Sequence, residues 1–138
     1  MDIAITFPGG KRVDAHMGGF VIHTDQIAAN GGDDTAPGPF DLFLASIATC
    51  AGYYALAFCQ ARQIPIDGLG VTQHVDYDAT THLPNRISLT VNPPEGFPER
   101  HRAGLLRAVE NCKVKKTITL QPTVLVTLTD TEIPCAHA

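Results

Sequence analysis

The sequence contains no tryptophan, and only 17% of its 138 residues are charged. Lys and Arg together number 10 against 14 Asp and Glu, which gives a net charge of -4 at pH 7. The few basic residues do not gather into a long stripe along the chain. Proteins that bind nucleic acid need a concentrated positive surface. We therefore do not expect a nucleic-acid partner.

Charge is missing altogether from one long internal segment. Residues 42–61, LFLASIATCAGYYALAFCQA, carry no charged side chain. A segment of this length could cross a bilayer. However, alanines, a serine, a threonine, a glycine, a glutamine and two tyrosines keep its total hydrophobicity modest. We interpret it as the buried central helix of a soluble protein, with no membrane partner.

The N-terminus, MDIAITFPGGKR, lacks the pattern of a secretory signal. Its apolar run is too short for the hydrophobic core of a signal peptide, and an acid stands at position 2. We therefore predict a cytoplasmic protein. Cytoplasmic thiols are kept reduced, and cysteines that pair there are usually catalytic or redox-sensing. The four cysteines thus indicate thiol chemistry rather than a disulfide framework.

Patterns that hold metals or phosphates are missing as well. The six histidines show no His-x-x-x-His spacing, and only Cys135 and His137 bring two ligand types close together, at the end of the chain. The glycine-rich segment 30–38 follows no strand of the nucleotide-binding type. We therefore expect neither a metal nor a bound cofactor.

Apolar periodicity predicts a single α+β domain over residues 1–138 with the order βββ-α-ββ-α-β. Glycine-containing turns divide the first 24 residues into three strands, and prolines flank both predicted helices. The predicted strands are 2–7, 11–16, 20–24, 69–77, 86–91 and 123–129, and the predicted helices are 39–63 and 98–112.

The long helix is predicted to begin at Pro39, since proline is favoured at the first helical position, and Asp41 in the same turn suits the helix dipole. A helix that is apolar on all sides needs protein on all sides. Six short strands and one further helix are too few to surround it. We therefore expect a homodimer that buries this helix against its twin.

Two of the cysteines are candidates for redox chemistry. Cys50 lies in the middle of the long apolar helix, and Cys112 ends the second helix. The helix dipole disfavours a thiolate at a helix C-terminus, although the lysines that follow Cys112 favour one. This position suits a resolving thiol better than an attacking one. Cys59 and Cys135 are interpreted as bystanders.

These residues carry a family resemblance. The segment GGDDTAPGPFDLFLASIATC resembles the Gly/Pro loop, helix start and first cysteine of the OsmC/Ohr family, the osmotically induced and organic-hydroperoxide-resistance thiol peroxidases. The segment AVENCKVKKTI resembles the family's second-cysteine segment. The resemblance implies an OsmC-like fold, with antiparallel strands wrapping a long buried helix in an intertwined homodimer. It also implies that Cys50 attacks the peroxide and Cys112 resolves the product.

The sequence departs from the family pattern at two places. In the best-studied branch a glutamate follows the helix-start proline, whereas here Phe40 follows it and the acid is Asp41. The second cysteine is commonly followed by proline, whereas here Lys113 follows it. The family's activating arginine comes from the N-terminal strands, where Arg12 is the candidate.

Asp41 could act only across a dimer. Along one helix it lies roughly 13 Å from Cys50, which is too far for contact. If two copies of the helix cross antiparallel near residues 45 and 46, Asp41 of one subunit lies beside the Cys50 region of the other. It could then orient Arg12, whose charge favours the thiolate.

The resemblance implies that the Cys50 thiolate reduces an organic hydroperoxide and becomes a sulfenic acid. Cys112 then forms a disulfide with it, which an external dithiol reduces. Two alternatives stay open: a thiol hydrolase or transferase that uses Cys50 alone, and a non-enzymatic dimer that binds small molecules. Aromatic residues could line an apolar substrate pocket, namely Phe40, Phe43, Tyr53, Tyr54 and Phe58.

Overall fold

The computed structural model describes residues 1–128. The chain divides into two compact units. The first comprises Met1–Phe43 together with residues 123–128, and the second is Leu44–Pro122. The predicted mixed α+β class with antiparallel sheets is confirmed. The predicted single domain and the wrapping of strands around a dimer stay predictions.

The first unit contains a three-stranded antiparallel sheet, in the order β1 (Ala4–Gly9), β2 (Arg12–Met17) and β3 (Phe20–Thr24). The predicted meander is therefore confirmed, with boundaries shifted by up to two residues. The turn between β1 and β2 places Gly9 and Gly10 at φ of 124° and 61°. Residues other than glycine rarely adopt such main-chain angles. The two glycines therefore allow the turn that ends β1.

A loop stabilised by one buried carboxylate connects β3 to the long helix. Asp25 accepts hydrogen bonds from the main-chain N–H of Gln26, Asp33 and Thr35 and from the Thr35 hydroxyl, at 2.7–3.2 Å. The hydroxyl bond and the bond from the Thr35 N–H are the largest contributions that lower the pKa of Asp25 to about 2. The glycine-rich segment is therefore an ordered loop, although it contains no regular element.

Helix α1 (Pro39–Gln60) begins as predicted. The N–H of Gly38 donates to Oδ2 of Asp41 at 3.0 Å, which is the reciprocal half of a capping box. At the other end, Gln63 is left-handed (φ 55°), and the N–H of Ile64 donates to the carbonyl of Cys59 at 3.0 Å. Together with the bond from the Gln63 N–H to the Gln60 carbonyl at 3.1 Å, this bond forms a Schellman motif, which ends the helix ahead of Pro65.

The second unit pairs β4 (Gly70–Tyr77) with β5 (Pro84–Asn92) in an antiparallel hairpin, as predicted. Helix α2 (Arg102–Glu110) and helix α3 (Lys113–Leu120) follow. The core forms where the second half of α1 meets α2, and side chains of the hairpin pack against it. Its buried members are Ala51, Ala55, Phe58, Cys59, Phe97, Leu105 and Val109.

The structure corrects two sequence-based predictions about the C-terminal third. The predicted helix 98–112 is shorter in the structure, where α2 ends at Glu110, and the non-helical Cys112 (φ −49°, ψ 129°) is followed by α3, a helix that was not predicted. Residues 123–128 of the predicted strand 123–129 form no strand. A strand exists only where its main chain pairs with another. Position 129 lies outside the described residues.

Within a single chain, only one face of α1 is buried. Its buried residues, Ile47, Ala51, Ala55, Phe58 and Cys59, define one face. Tyr53, by contrast, is 64% exposed. By length and composition α1 could also span a membrane, a property that core helices of soluble proteins share.

Candidate functional site

Cys50 lies at the edge of the buried face of α1. The neighbouring residues Ile47 and Ala51 point into the second unit, so their burial fixes the rotation of the helix about its axis. Cys50, which directly precedes Ala51, is a half-buried residue. Packing therefore fixes the direction of this side chain while leaving the residue partly exposed.

The break between α2 and α3 positions Cys112. Leu105 and Val109 bury one face of α2 in the core, and the N–H of Cys112 donates to the carbonyl of Val109 at 3.1 Å. The chain then turns, and Cys112 becomes the residue that precedes the first turn of α3. Its side chain is completely buried. The sequence predicts Cys112 at the C-terminus of a helix. In the structure Cys112 follows the C-terminus of α2 and also precedes the N-terminus of α3.

The structure brings the two predicted thiols into contact. Burial acts to raise the pKa of Cys50, but a hydrogen bond from the Cys112 thiol and bonds from the main-chain N–H groups of Val114 and Lys113 outweigh it, with help from the Lys113 charge. The pKa of Cys50 therefore lies below its ordinary value. For Cys112, burial and its role as hydrogen donor to Cys50 raise the pKa.

The N-terminus of α3 supplies the donors to Cys50. The first N–H groups of a helix have no partner within the helix and carry a partial positive charge. Two of these groups, from Lys113 and Val114, lower the pKa of Cys50. Sequence reasoning missed them because it predicted no helix after Cys112. Asn111, a residue that favours helix ends, was the available signal.

This arrangement distinguishes the two thiols chemically. A thiolate, and not a thiol, is the nucleophile. Cys50 is the more acidic thiol and is partly accessible, whereas Cys112 is fully buried and keeps its proton. The geometry suits an attack by Cys50 followed by closure of a disulfide with Cys112.

The other two predicted site residues, Arg12 and Asp41, belong to the first unit, whereas both thiols belong to the second. The Nε of Arg12 donates to the carbonyl of Gly9 at 3.4 Å, at the turn between β1 and β2. Asp41 is exposed and accepts the Gly38 N–H described above. Asp41 therefore has a structural role as a first-turn acid, and its action across a dimer stays a prediction.

The bystander Cys59 is completely buried in the core, and burial raises its pKa. Cys135 and His137 lie outside the described residues. Among residues 1–128, no three His, Cys, Asp or Glu side chains form a group that could hold a metal ion.

Two apolar cavities lie in the second unit. One of 380 Å³ borders the small residues Ala48, Thr49 and Gly52 of α1, and one of 330 Å³ lies between the hairpin and α2 and α3. None of the five aromatic residues predicted to line a substrate pocket borders either cavity. Phe58 is a core residue instead, with the Arg62 guanidinium 3.7 Å from its ring centre.

Comparisons with known proteins agree with this fold. The family model described as OsmC-like protein matches residues 31–127. A search of curated proteins gives no significant match. A Psychrobacter arcticus protein described as osmotic stress induced and of the detoxification response is 20% identical, with a TM-score of 0.70 over 83% of this chain and 85% of that one.

Two further solved structures are similar. An OsmC-like protein of Mycoplasma pneumoniae is 21% identical, with a TM-score of 0.61 over 86% of each chain. A Legionella pneumophila protein described as the organic hydroperoxide resistance protein OsmC is 19% identical, with a TM-score of 0.55 over 86% of this chain and 89% of that one. At these identities the likeness concerns the fold.

Proposed function

Because the chain belongs to the OsmC-like protein family, we propose that it is a thiol peroxidase that reduces organic hydroperoxides at Cys50. Family membership and the similar protein described as an organic hydroperoxide resistance protein support a peroxidase-like role. The observation that carries the finer proposal is the pair itself. Cys50 is a partly exposed residue whose thiol pKa is lowered, and the buried Cys112 thiol is one cause of that lowering.

The reaction proceeds in two steps at these sulfur atoms. The Cys50 thiolate attacks the distal oxygen of the hydroperoxide and the O–O bond breaks. The alkoxide takes up a proton and leaves as the alcohol, and Cys50 becomes a sulfenic acid. The Cys112 sulfur then attacks the Cys50 sulfur, so that the S–S bond forms and water leaves. An external dithiol reduces this disulfide, and no other cofactor takes part.

The proposal includes a homodimer in a reducing, cytoplasmic environment. Apolar rings on α1 remain exposed in one chain, including Phe40 at 45% and Tyr53 at 64%. A second copy of the chain would cover this surface. In that dimer, Arg12 and the partner's Asp41 are proposed to favour the thiolate. Sedimentation should give a dimer at micromolar concentration, and a folded species of 14.8 kDa would contradict it.

The test separates the two thiols. The reduced protein receives one equivalent of cumene hydroperoxide, and peroxide loss and protein mass are followed together. Cys50→Ser should abolish consumption, whereas Cys112→Ser should consume one equivalent and leave a sulfenic acid that dimedone traps. Cys59→Ala is the matched control, since that buried thiol should leave turnover unchanged.

The outcomes also distinguish the alternatives. A Cys50–Cys112 disulfide in the wild-type protein supports the peroxidase. An unchanged mass would favour the dimer that only binds small molecules. If Cys112→Ser turns over repeatedly with an ester substrate, while the wild-type protein forms no disulfide, Cys50 acts alone as the nucleophile of a hydrolase or transferase.

A further inference from the structure

The cavity of 330 Å³ between the hairpin and helices α2 and α3 has apolar walls and a charged rim. Strand β5 contributes Leu89 and Val91 to its walls, and α2 contributes Val109. Glu110 and Lys115 also border it, and both are exposed residues. No cysteine among residues 1–128 borders this cavity, so its lining is distinct from the thiol pair.

The two charged residues of the rim have no charged partner in the chain. None of the ion pairs among residues 1–128 includes the Glu110 carboxylate or the Lys115 ammonium. Both residues also border a smaller adjoining cavity of 270 Å³. Because they border the same two cavities, they lie near each other across the break between α2 and α3. The rim therefore offers one carboxylate and one ammonium to a ligand.

We propose that this cavity binds a free α-amino acid with a branched apolar side chain, such as leucine. The ligand's side chain enters the cavity, its ammonium group pairs with Glu110, and its carboxylate pairs with Lys115. Binding involves no covalent step, and the site does not depend on the proposed peroxidase function.

The two charges select a ligand that carries both signs. A fatty acid would place its carboxylate near Glu110 as well as near Lys115, and an alkyl amine would place its ammonium near Lys115. Like charges repel, whereas a zwitterion can meet an opposite charge at each residue. An uncharged apolar molecule would gain only from burial in the cavity.

The size and access of the cavity also suit such a ligand. A volume of 330 Å³ is at the lower end of the range for small-molecule sites, which favours a compact ligand over a long acyl chain. Leu106 and Ile118, which also border the cavity, are 55% and 43% exposed, so a small molecule can enter from solvent. Burial of a leucine side chain strengthens binding by about tenfold or more.

The first test compares four ligands on the wild-type protein. Methyl resonances are followed by NMR during titration with leucine, and those of Leu89, Val91, Val109 and Ile118 should shift. Isocaproate lacks the ammonium of leucine, and isoamylamine lacks its carboxylate. Each should bind about threefold more weakly, which is the usual contribution of an exposed ion pair. Glycine lacks the side chain and should bind about tenfold more weakly or less.

The second test removes each charge of the rim. Glu110→Gln should weaken leucine binding about threefold without weakening isocaproate binding, since isocaproate has no ammonium to lose a partner. Lys115→Gln should weaken leucine binding similarly without weakening isoamylamine binding. Arg107→Gln is the matched control, because it removes an exposed charge from α2 at a residue that borders neither cavity. It should leave leucine binding unchanged.

The outcomes decide the proposal. Equal affinities for leucine, isocaproate and isoamylamine would overturn the role of the two charges and with it the choice of an amino acid. If these four methyl groups do not shift at the highest leucine concentration that dissolves, the site itself is refuted. The ligand series uses only the wild-type protein, so it decides even if a variant does not fold. If leucine binds as expected while the protein consumes no hydroperoxide, only the peroxidase proposal fails.

Discussion

Leu105 and Leu106 offer a matched test of how α2 holds Cys112 in place. The two residues are adjacent, but Leu105 is 3% exposed in the core and Leu106 is 55% exposed. Substitution by alanine changes helix propensity alike at both positions. Any difference between Leu105→Ala and Leu106→Ala therefore reports packing.

The expected magnitude follows from burial. Truncation of a fully buried leucine costs about 3 kcal/mol, because the loss of apolar contact adds to the cavity left behind. A leucine that is half exposed should cost less than about 1 kcal/mol. With a urea m-value of about 2 kcal/mol/M, the unfolding midpoint of Leu105→Ala should fall by about 1.5 M.

The assay is urea unfolding followed by circular dichroism, with both variants and the wild type at one protein concentration, since association would change apparent stability. Leu105→Ala should also slow the closing of the Cys50–Cys112 disulfide, because α2 carries Cys112. Equal losses of stability in the two variants would refute the assignment of Leu105 to the core.

Three further predictions concern the loop after β3 and the thiols. In Gly32→Ala the new Cβ would clash with the Gln26 carbonyl oxygen, so the main chain must shift and the melting temperature should fall; an unchanged melting temperature would contradict this geometry. Because folding lowers the pKa of Asp25 from 3.8 to about 2, its stabilising contribution is complete above pH 3.8 and is lost as the pH falls toward 2. Asp25→Asn should flatten the pH dependence of urea midpoints in that window, and parallel curves for variant and wild type would count against it. Iodoacetamide at pH 7 should label Cys50 well before Cys59, whose thiol is buried and of raised pKa, and peptide mapping that finds Cys59 labelled first would refute this order.

Local patterns were sufficient for most elements of the fold. Period-2 alternation and glycine turns predicted the five strands found within residues 1–128, and Pro39 and Pro65 bounded the long helix. These patterns involve residues that are close in sequence, so the sequence of one chain is enough to recognise them. The family resemblance rested on the same local segments and is confirmed by the family model over residues 31–127.

The failures have a different physical origin. The sequence analysis ended the second helix at Cys112, and nothing in the local spacing required a further helix over residues 113–120, where α3 lies. The predicted strand 123–129 has suitable residues, but a strand also needs a partner. The five aromatic residues of the predicted pocket could have lined a cavity or the core, and only packing assigns Phe58 to the core.

For the thiols, the residue types and the helix around Cys50 could be read from the sequence, together with the choice of Cys112 as the second thiol. Tertiary structure alone decided that Cys112 is buried and that the Cys112 thiol and the N–H groups of Val114 and Lys113 lower the pKa of Cys50. Thiol acidity depends on the donors and charges within a few ångströms of the sulfur atom. Those groups come from a helix far along the chain, and only the packing of α2 against α1 brings them to Cys50.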